Sequence, residues 1–222
     1  GREWERYAWI KGRVIAGPQA VITKLLKPFT FRKYLDFNAF ASMRDLKTQI
    51  HRDVEKKGMV DNIKLGRGGI REIEFIAQVF QLIRGGTDAS LQIKPTLTVL
   101  ILLQQKGLLP AQVVNDLTTA YIFLRNLEHR LMYVDDQQTQ DLPKTDEAKA
   151  RIATAMNFTN WQAFLMQLNS HRQLVQTHFD ATFAAPIKSN HASTEPLWQG
   201  MLELEAALQV LQEAGFDDPK TA

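Results

Sequence analysis

Apolar residues recur at three- and four-residue steps through almost the whole chain, and no stretch alternates at steps of two between turn residues. The first spacing keeps one face of a helix apolar; the second would be needed for half-buried strands. The clearest run is Val113, Leu117, Ala120, Leu124, Leu127 and Leu131, which predicts a long bundle helix of roughly five turns. Around it the punctuation is equally helical. Trp4, Tyr7, Ala8, Lys11 and Ile15 share one side of a first helix, expected to end at Gly17 and Pro18. A second is expected from about Asp36, with Phe40, Met43, Leu46, Ile50 and Val54 inward and Gly58 as its stop. A third opens at the loop of Gly66, Gly68 and Gly69, runs to about Ile83 and closes at Gly85 and Gly86. Pro95 starts a short apolar helix that ends near Gly107. Thr145 caps one through Ile152, and Thr159 caps another with Trp161, Leu165, Leu168, Val175 and Phe179 inward. The fold class is therefore all-α, a helical bundle over residues 1–185. A polar linker follows at 186–194, then a helix over 195–222 striped by Leu197, Met201, Leu204, Leu208 and Leu211.

Composition excludes several functions. A chain of 222 residues can bury a sizeable core unaided, and the lack of any cysteine removes disulfides, thiolate nucleophiles and cysteine-bound zinc. That lack suits a cytoplasmic location. The longest apolar run, about Leu97 to Leu103, is cut by Gln104, Gln105 and Lys106, too soon to span a membrane. Net charge is only +3, too little to predict a nucleic-acid partner. The first residues, Gly1, Arg2 and Glu3, carry no signal-peptide pattern. The chain opens in a helical pattern without an initiator Met, as expected for an excised piece of a longer protein.

The sharpest chemical signal is the run from Asn62 to Phe75. Gly66, Gly68 and Gly69 can bring backbone close to a ligand, and a helix starting there is expected to aim free N–H groups at it. Lys64, Arg67 and Arg71 add positive charge, so a phosphate or nucleotide is one expected occupant. Spacing alone equally allows the glycines merely to shape a tight helix entry. The third helix is apolar around most of its circumference, yet Arg71, Glu74, Gln78 and Gln81 form a narrow polar stripe. Buried polar groups need partners or a wet cavity. On the first helix Arg2, Arg6, Trp9 and Arg13 share a side, flanked by Lys11, a pattern compatible with a nucleotide or with a solvated face. Arg125 and Glu128 read as an intrahelical pair. His171 and His178 read as boundary packing, and Glu72 and Glu74 diverge too far on a helix to form an acid–base pair.

Three ordered motifs carry a resemblance. Arg2-Glu3-Trp4-Glu5-Arg6-Tyr7-Ala8 with Lys11 and Arg13 is similar to the helix that follows the nucleotidyltransferase fold in bacterial glutamine synthetase adenylyltransferase/adenylyl-removing enzymes. Lys64-Leu65-Gly66-Arg67-Gly68-Gly69-Ile70-Arg71-Glu72-Ile73-Glu74-Phe75 resembles that family's helical-domain motif, and a related one occurs in the uridylyltransferases of nitrogen-signal proteins. Phe123-Leu124-Arg125-Asn126-Leu127-Glu128-His129-Arg130-Leu131, with Asp136-Gln137-Gln138-Thr139 and Leu142-Pro143, resembles a third.

The resemblance implies the helical part of the adenylyl-removing half, with residues 195–222 beginning the family's middle region. Its partners would be glutamine synthetase and, through other parts of the full-length enzyme, a nitrogen-signal regulatory protein. ATP, ADP and phosphate would be substrates or products. The family's Mg²⁺ is held by carboxylates of a preceding domain, and no Asp-x-Asp occurs here. The piece alone is thus expected to be inactive, with no metal-binding and no catalytic residue of its own. The residues expected to wall the nucleotide or phosphate site are Lys64, Gly66, Arg67, Gly68, Gly69, Arg71 and Glu74, with Arg6, Lys11 and Arg13 as a second side. The competing expectation is a non-catalytic helical interaction or regulatory module.

Overall fold

The computed structural model describes residues 3–32, 48, 52, 56, 58–134 and 139–184. Among them seven α-helices follow one another: α1 (Glu3–Lys11), α2 (Gln19–Thr30), α3 (Ile70–Arg84), α4 (Thr96–Gln105), α5 (Ala111–Tyr133), α6 (Asp146–Ala155) and α7 (Trp161–Ala184). Two single 3₁₀ turns, Met59–Asp61 and Ala89–Leu91, lie before α3 and α4. No strand forms among the described residues. One isolated antiparallel bridge joins Asn62 to Asp141. The all-α expectation holds. The backbone divides into two compact units, Gly1–Thr182 and Phe183–Ala222. The expected linker and last helix, at 186–194 and 195–222, lie outside the described residues, as do most of the expected 36–54 helix and Asp136 to Gln138.

α3 is the central helix, packed against α1, α4 and α5. Ile70, Ile73, Phe75, Ile76, Ala77, Val79 and Leu82 are all buried. At roughly 1.5–3 kcal/mol per fully buried large side chain, this one helix anchors the bundle. Phe75 ties three elements together: its ring lies 4.9 Å from that of Tyr7 on α1 and 5.8 Å from that of Phe179 on α7. A second cluster of Phe123, Phe158, Phe164 and Trp161 fills the space between α5 and the start of α7.

Several boundaries differ from expectation, each for a local reason. α1 ends at Lys11 instead of Gly17, and Ile15 is exposed. The end of α1 is fastened to the α4 entry: Lys11 donates to the Lys94 carbonyl, and Lys94 donates back to that of Gly12. α2 is not among the expected helices; its Pro28 sits in the last turn of a helix already formed. α5 buries Val114, not Val113, and α7 buries Phe164, not Leu165. Elsewhere on these faces Leu117, Ala120, Leu124, Leu127 and Leu131 on α5 and Leu168, Val175 and Phe179 on α7 are buried as expected. α6 is capped as expected, Thr145 accepting from the Ala148 amide at 3.3 Å. At α7 the cap is Asn160, whose side chain accepts from Ala163 N at 2.8 Å, instead of Thr159.

Asp88 caps the turn before α4, accepting from the Ser90 amide (3.0 Å) and hydroxyl (2.6 Å) and pairing with Lys106 at 2.6 Å. Those hydrogen bonds, that from Lys106 first, hold its carboxyl at about 2 against an ordinary 3.8. A carboxylate depressed in the folded state stabilises that state above its ordinary value, and the contribution is lost as pH falls through about 2. NMR titration is expected to place the Asp88 midpoint there and to move it upward in Lys106→Ala. An unmoved midpoint would detach Lys106 from the cap.

Candidate functional site

The loop entering α3 is built by its own backbone. Asn62 folds it, its side-chain oxygen accepting from Lys64 N (3.1 Å) and Leu65 N (2.8 Å) while its amide donates to Asp141 (2.8 Å). Ile63 N donates to Gln140 O at 2.9 Å and Leu142 N to Asp61 O at 3.1 Å. The segment after α5 is thereby zipped onto the loop.

The glycines face inward. A Cβ on Gly68, which has φ of 68°, would sit 2.6 Å from Cα of Arg172 on α7, and one on Gly66 would sit 2.7 Å from the Arg172 guanidinium. A Cβ on Gly69 would crowd three carbonyls of the same loop. Arg172 completes the packing, donating to Arg67 O and Val60 O, each at 2.8 Å. The amides are taken as well. Gly66 N, Gly69 N, Ile70 N, Arg71 N and Glu72 N donate to carbonyls of residues 62–69, and Gly68 N donates to the Glu72 carboxylate at 2.9 Å. The expectation of free helix-start amides is therefore corrected: internal acceptors satisfy them, and the glycine spacing serves the contact with α7. Anything this loop offers a ligand comes from side chains.

Those side chains form a polar seam across α1, α3, α4 and α5. Lys64 reaches Glu128 on α5 at 3.2 Å, and Arg125 reaches the other oxygen of the same carboxylate at 2.5 Å. One turn earlier on α5, the Tyr121 hydroxyl donates to Glu74 at 3.1 Å. Lys11 donates to the Thr96 hydroxyl at 2.9 Å. Burial pulls the Lys11 ammonium down in pKa, and the nearby Glu74 carboxylate opposes that fall. Burial pushes the Tyr7 and Tyr121 phenols up, and Glu74 adds to each shift. Arg71 is exposed beside this group, close enough to Tyr7 to act on its charge. The guanidinium of Arg71 forms no hydrogen bond or ion pair with any described residue.

The seam thus brings together Lys11, Lys64, Arg71 and Glu74 from the expected set. It does not gather the others. Arg6 is buried between α1 and α2 and donates to Thr30 O at 3.3 Å. Arg13 lines a different cleft with Trp9, Lys27 and Lys94. Arg67 is exposed, on a loop whose carbonyl is turned to α7. The polar stripe of α3 also divides. Gln81 is a structural clamp, donating to Leu91 O (2.6 Å) and Ile93 O (2.7 Å). His171 is buried, 4.6 Å from the Phe123 ring and 2.9 Å from Gln167, and burial lowers its pKa. His178 pairs with Asp116 at 2.9 Å. Among the described residues no three His, Asp or Glu side chains gather as a cation site.

Sequence reasoning missed two features. Glu128 is more than an intrahelical partner, because a side chain from a loop 64 residues away shares it. Tyr121 belongs to the seam too. The available signal was the Tyr121, Arg125, Glu128 spacing of four and three, a polar line beside the apolar stripe of α5.

The chain is similar to known proteins along most of its length. The family model described as GlnD PII-uridylyltransferase matches residues 44–183. A bifunctional glutamine synthetase adenylyltransferase/adenylyl-removing enzyme of Nitrosomonas europaea is 53% identical over 228 aligned residues, covering 99% of this chain and 24% of that protein. Proteins of the same description are 50% identical in Aromatoleum aromaticum (97% of this chain, 23% of the relative) and 46% identical in Pseudomonas putida (100% and 24%). The chain spans about a quarter of the length of these relatives.

Proposed function

The chain belongs to the GlnD PII-uridylyltransferase family and matches one segment of bifunctional glutamine synthetase adenylyltransferase/adenylyl-removing enzymes; from that premise we propose that its seam of Lys11, Lys64, Arg71 and Glu74 is the helical wall of a site for phosphorylated ligands in the full-length enzyme. The reaction would be removal of AMP from a tyrosine of glutamine synthetase by phosphorolysis. In that reaction orthophosphate, the adenylyl phosphate and the leaving phenolate gather several negative charges in one cleft. Preorganised cations answer that demand without reorganising as charge develops. Residues 1–185 would form this wall and residues 195–222 the start of a further region, joined through 186–194.

The observations that support the reading are Lys11 and Arg71 beside the Tyr7, Tyr121 and Glu74 group, Lys64 and Arg125 on one carboxylate of the same helix as Tyr121, and Arg71 unpaired among the described residues. Each residue has a separable task. Glu74 opposes the fall that burial imposes on the Lys11 ammonium and accepts from the Tyr121 hydroxyl. Lys64 supplies charge at the mouth of α3, and Arg71 is exposed, with no hydrogen bond from its guanidinium to a described residue.

Equilibrium titration of the intact enzyme tests the reading. Orthophosphate or ADP is expected to bind about tenfold more weakly to Lys64→Ala, the loss of one charge-assisted contact. Unchanged affinity for both, together with intact binding of glutamine synthetase, would instead make this domain a docking scaffold.

A further inference from the structure

We infer that Arg125, with Lys64, seats a phosphate group on this wall, and that Glu128 is the positioning residue that sets the pair. The inference rests on the reading that the seam handles phosphorylated ligands, and adds to it a second cation from α5 and a buried carboxylate.

Glu128 is 2% exposed, although it lies on a helix face whose neighbours Lys64 and Arg125 have side chains 37% exposed. A buried carboxylate is tolerated only when its charge is paired and its oxygens are hydrogen-bonded. Here each oxygen has its own cation, Lys64 on Oε1 and Arg125 on Oε2. Two cations against one carboxylate leave a net positive charge. One donor of three is used on the ammonium and one of five on the guanidinium. The remaining donors belong to half-exposed side chains, while the carboxylate itself is buried. Lys64 and Arg125 come from elements far apart in sequence, and both are long side chains that lose rotamer freedom when fixed. Sharing one anchor places their heads side by side before any ligand arrives. Held by the two oxygens of one carboxylate, each head can donate to a different oxygen of a single tetrahedral phosphate. A salt bridge meant only to fasten the loop to α5 needs one cation; the second has no fastening role, since Arg125 is on the same helix as Glu128.

The two roles predict opposite signs. If Glu128 merely braces the loop, replacing it by the neutral isostere Gln removes a negative charge near the anion, so phosphate should bind equally well or more tightly. If Glu128 positions the pair, the amide can accept from only one cation and repels the other, and phosphate binding weakens. In the intact enzyme, Glu128→Gln is expected to raise the dissociation constant for inorganic orthophosphate or for ADP about tenfold and to raise the KM of phosphorolysis for phosphate with kcat held within about twofold. Weakening for orthophosphate alone assigns the seat to the free anion, and weakening for ADP assigns it to a nucleotide phosphate. Affinity for both that is unchanged or improved overturns the inference. Arg125→Gln, at a half-exposed position, carries the same test if Glu128→Gln fails to fold: weaker binding supports the seat and equal binding refutes it. Should Lys64→Ala and Arg71→Ala weaken phosphate while Glu128→Gln and Arg125→Gln do not, this inference fails and the parent reading stands. Should none of the four weaken it, both fail.

Discussion

Gly68→Ala is expected to destabilise the folded chain by about 3 kcal/mol, summing the cost of a left-handed backbone on a residue with Cβ and that of steric overlap in a packed interior. Gly68 has φ of 68°, and the added carbon would press on the backbone of Arg172. Relief by side-chain rotation is impossible, because what it meets is main chain on α7. Moving the loop away would break the bonds from Arg172 to Arg67 O and Val60 O and that from Gly68 N to Glu72. Gly107 is an internal control. It has φ of 66° but nothing within 4 Å of its Cβ position, so Gly107→Ala should cost only about 1 kcal/mol. Urea unfolding of both variants gives the comparison. Equal losses would show that the loop does not lean on α7, and the packing account of the glycine motif would fall.

Under the proposed function, Arg71→Ala in the intact enzyme is expected to slow phosphorolytic release of AMP from glutamine synthetase about a hundredfold, comparable to deleting one preorganised donor from a charge-stabilising site. The unfolding temperature should stay nearly constant, since an exposed side chain with no hydrogen bond to a described residue contributes little to stability. Arg71→Lys should recover part of the rate by restoring charge without the planar fork of donors. The informative failure is the reverse pattern, near-normal turnover with a clear loss of stability. That result would make Arg71 a brace for residues outside those described.

Much of this protein was legible before any coordinates. The three- and four-residue apolar steps specified an all-α bundle, because only a helix turns such spacing into a face that can be buried. The caps at Pro95 and Thr145 and the stop at Gly85 followed from local backbone chemistry, which needs no tertiary partner. The buried, nearly all-apolar α3 was equally plain. So were three ordered motifs whose resemblance pointed to glutamine synthetase adenylyltransferase/adenylyl-removing enzymes, the description the similar proteins carry.

Other properties depend on which distant atoms meet, and periodicity does not encode that. The spacing of Gly66, Gly68 and Gly69 left a ligand cradle and a tight helix entry equally open until Arg172, more than a hundred residues on, filled the space beside them and internal carbonyls took their amides. Arg6 and Lys11 lie five residues apart on one helix, yet one faces α2 and the other the seam. Glu128 looked like half of a local pair; burial and the arrival of Lys64 made it a shared anchor. Local spacing decides which helices form and which faces are apolar, since those energies are summed along the chain. The partner of each charge is decided by helix packing, because electrostatic and steric energies depend on distance in space.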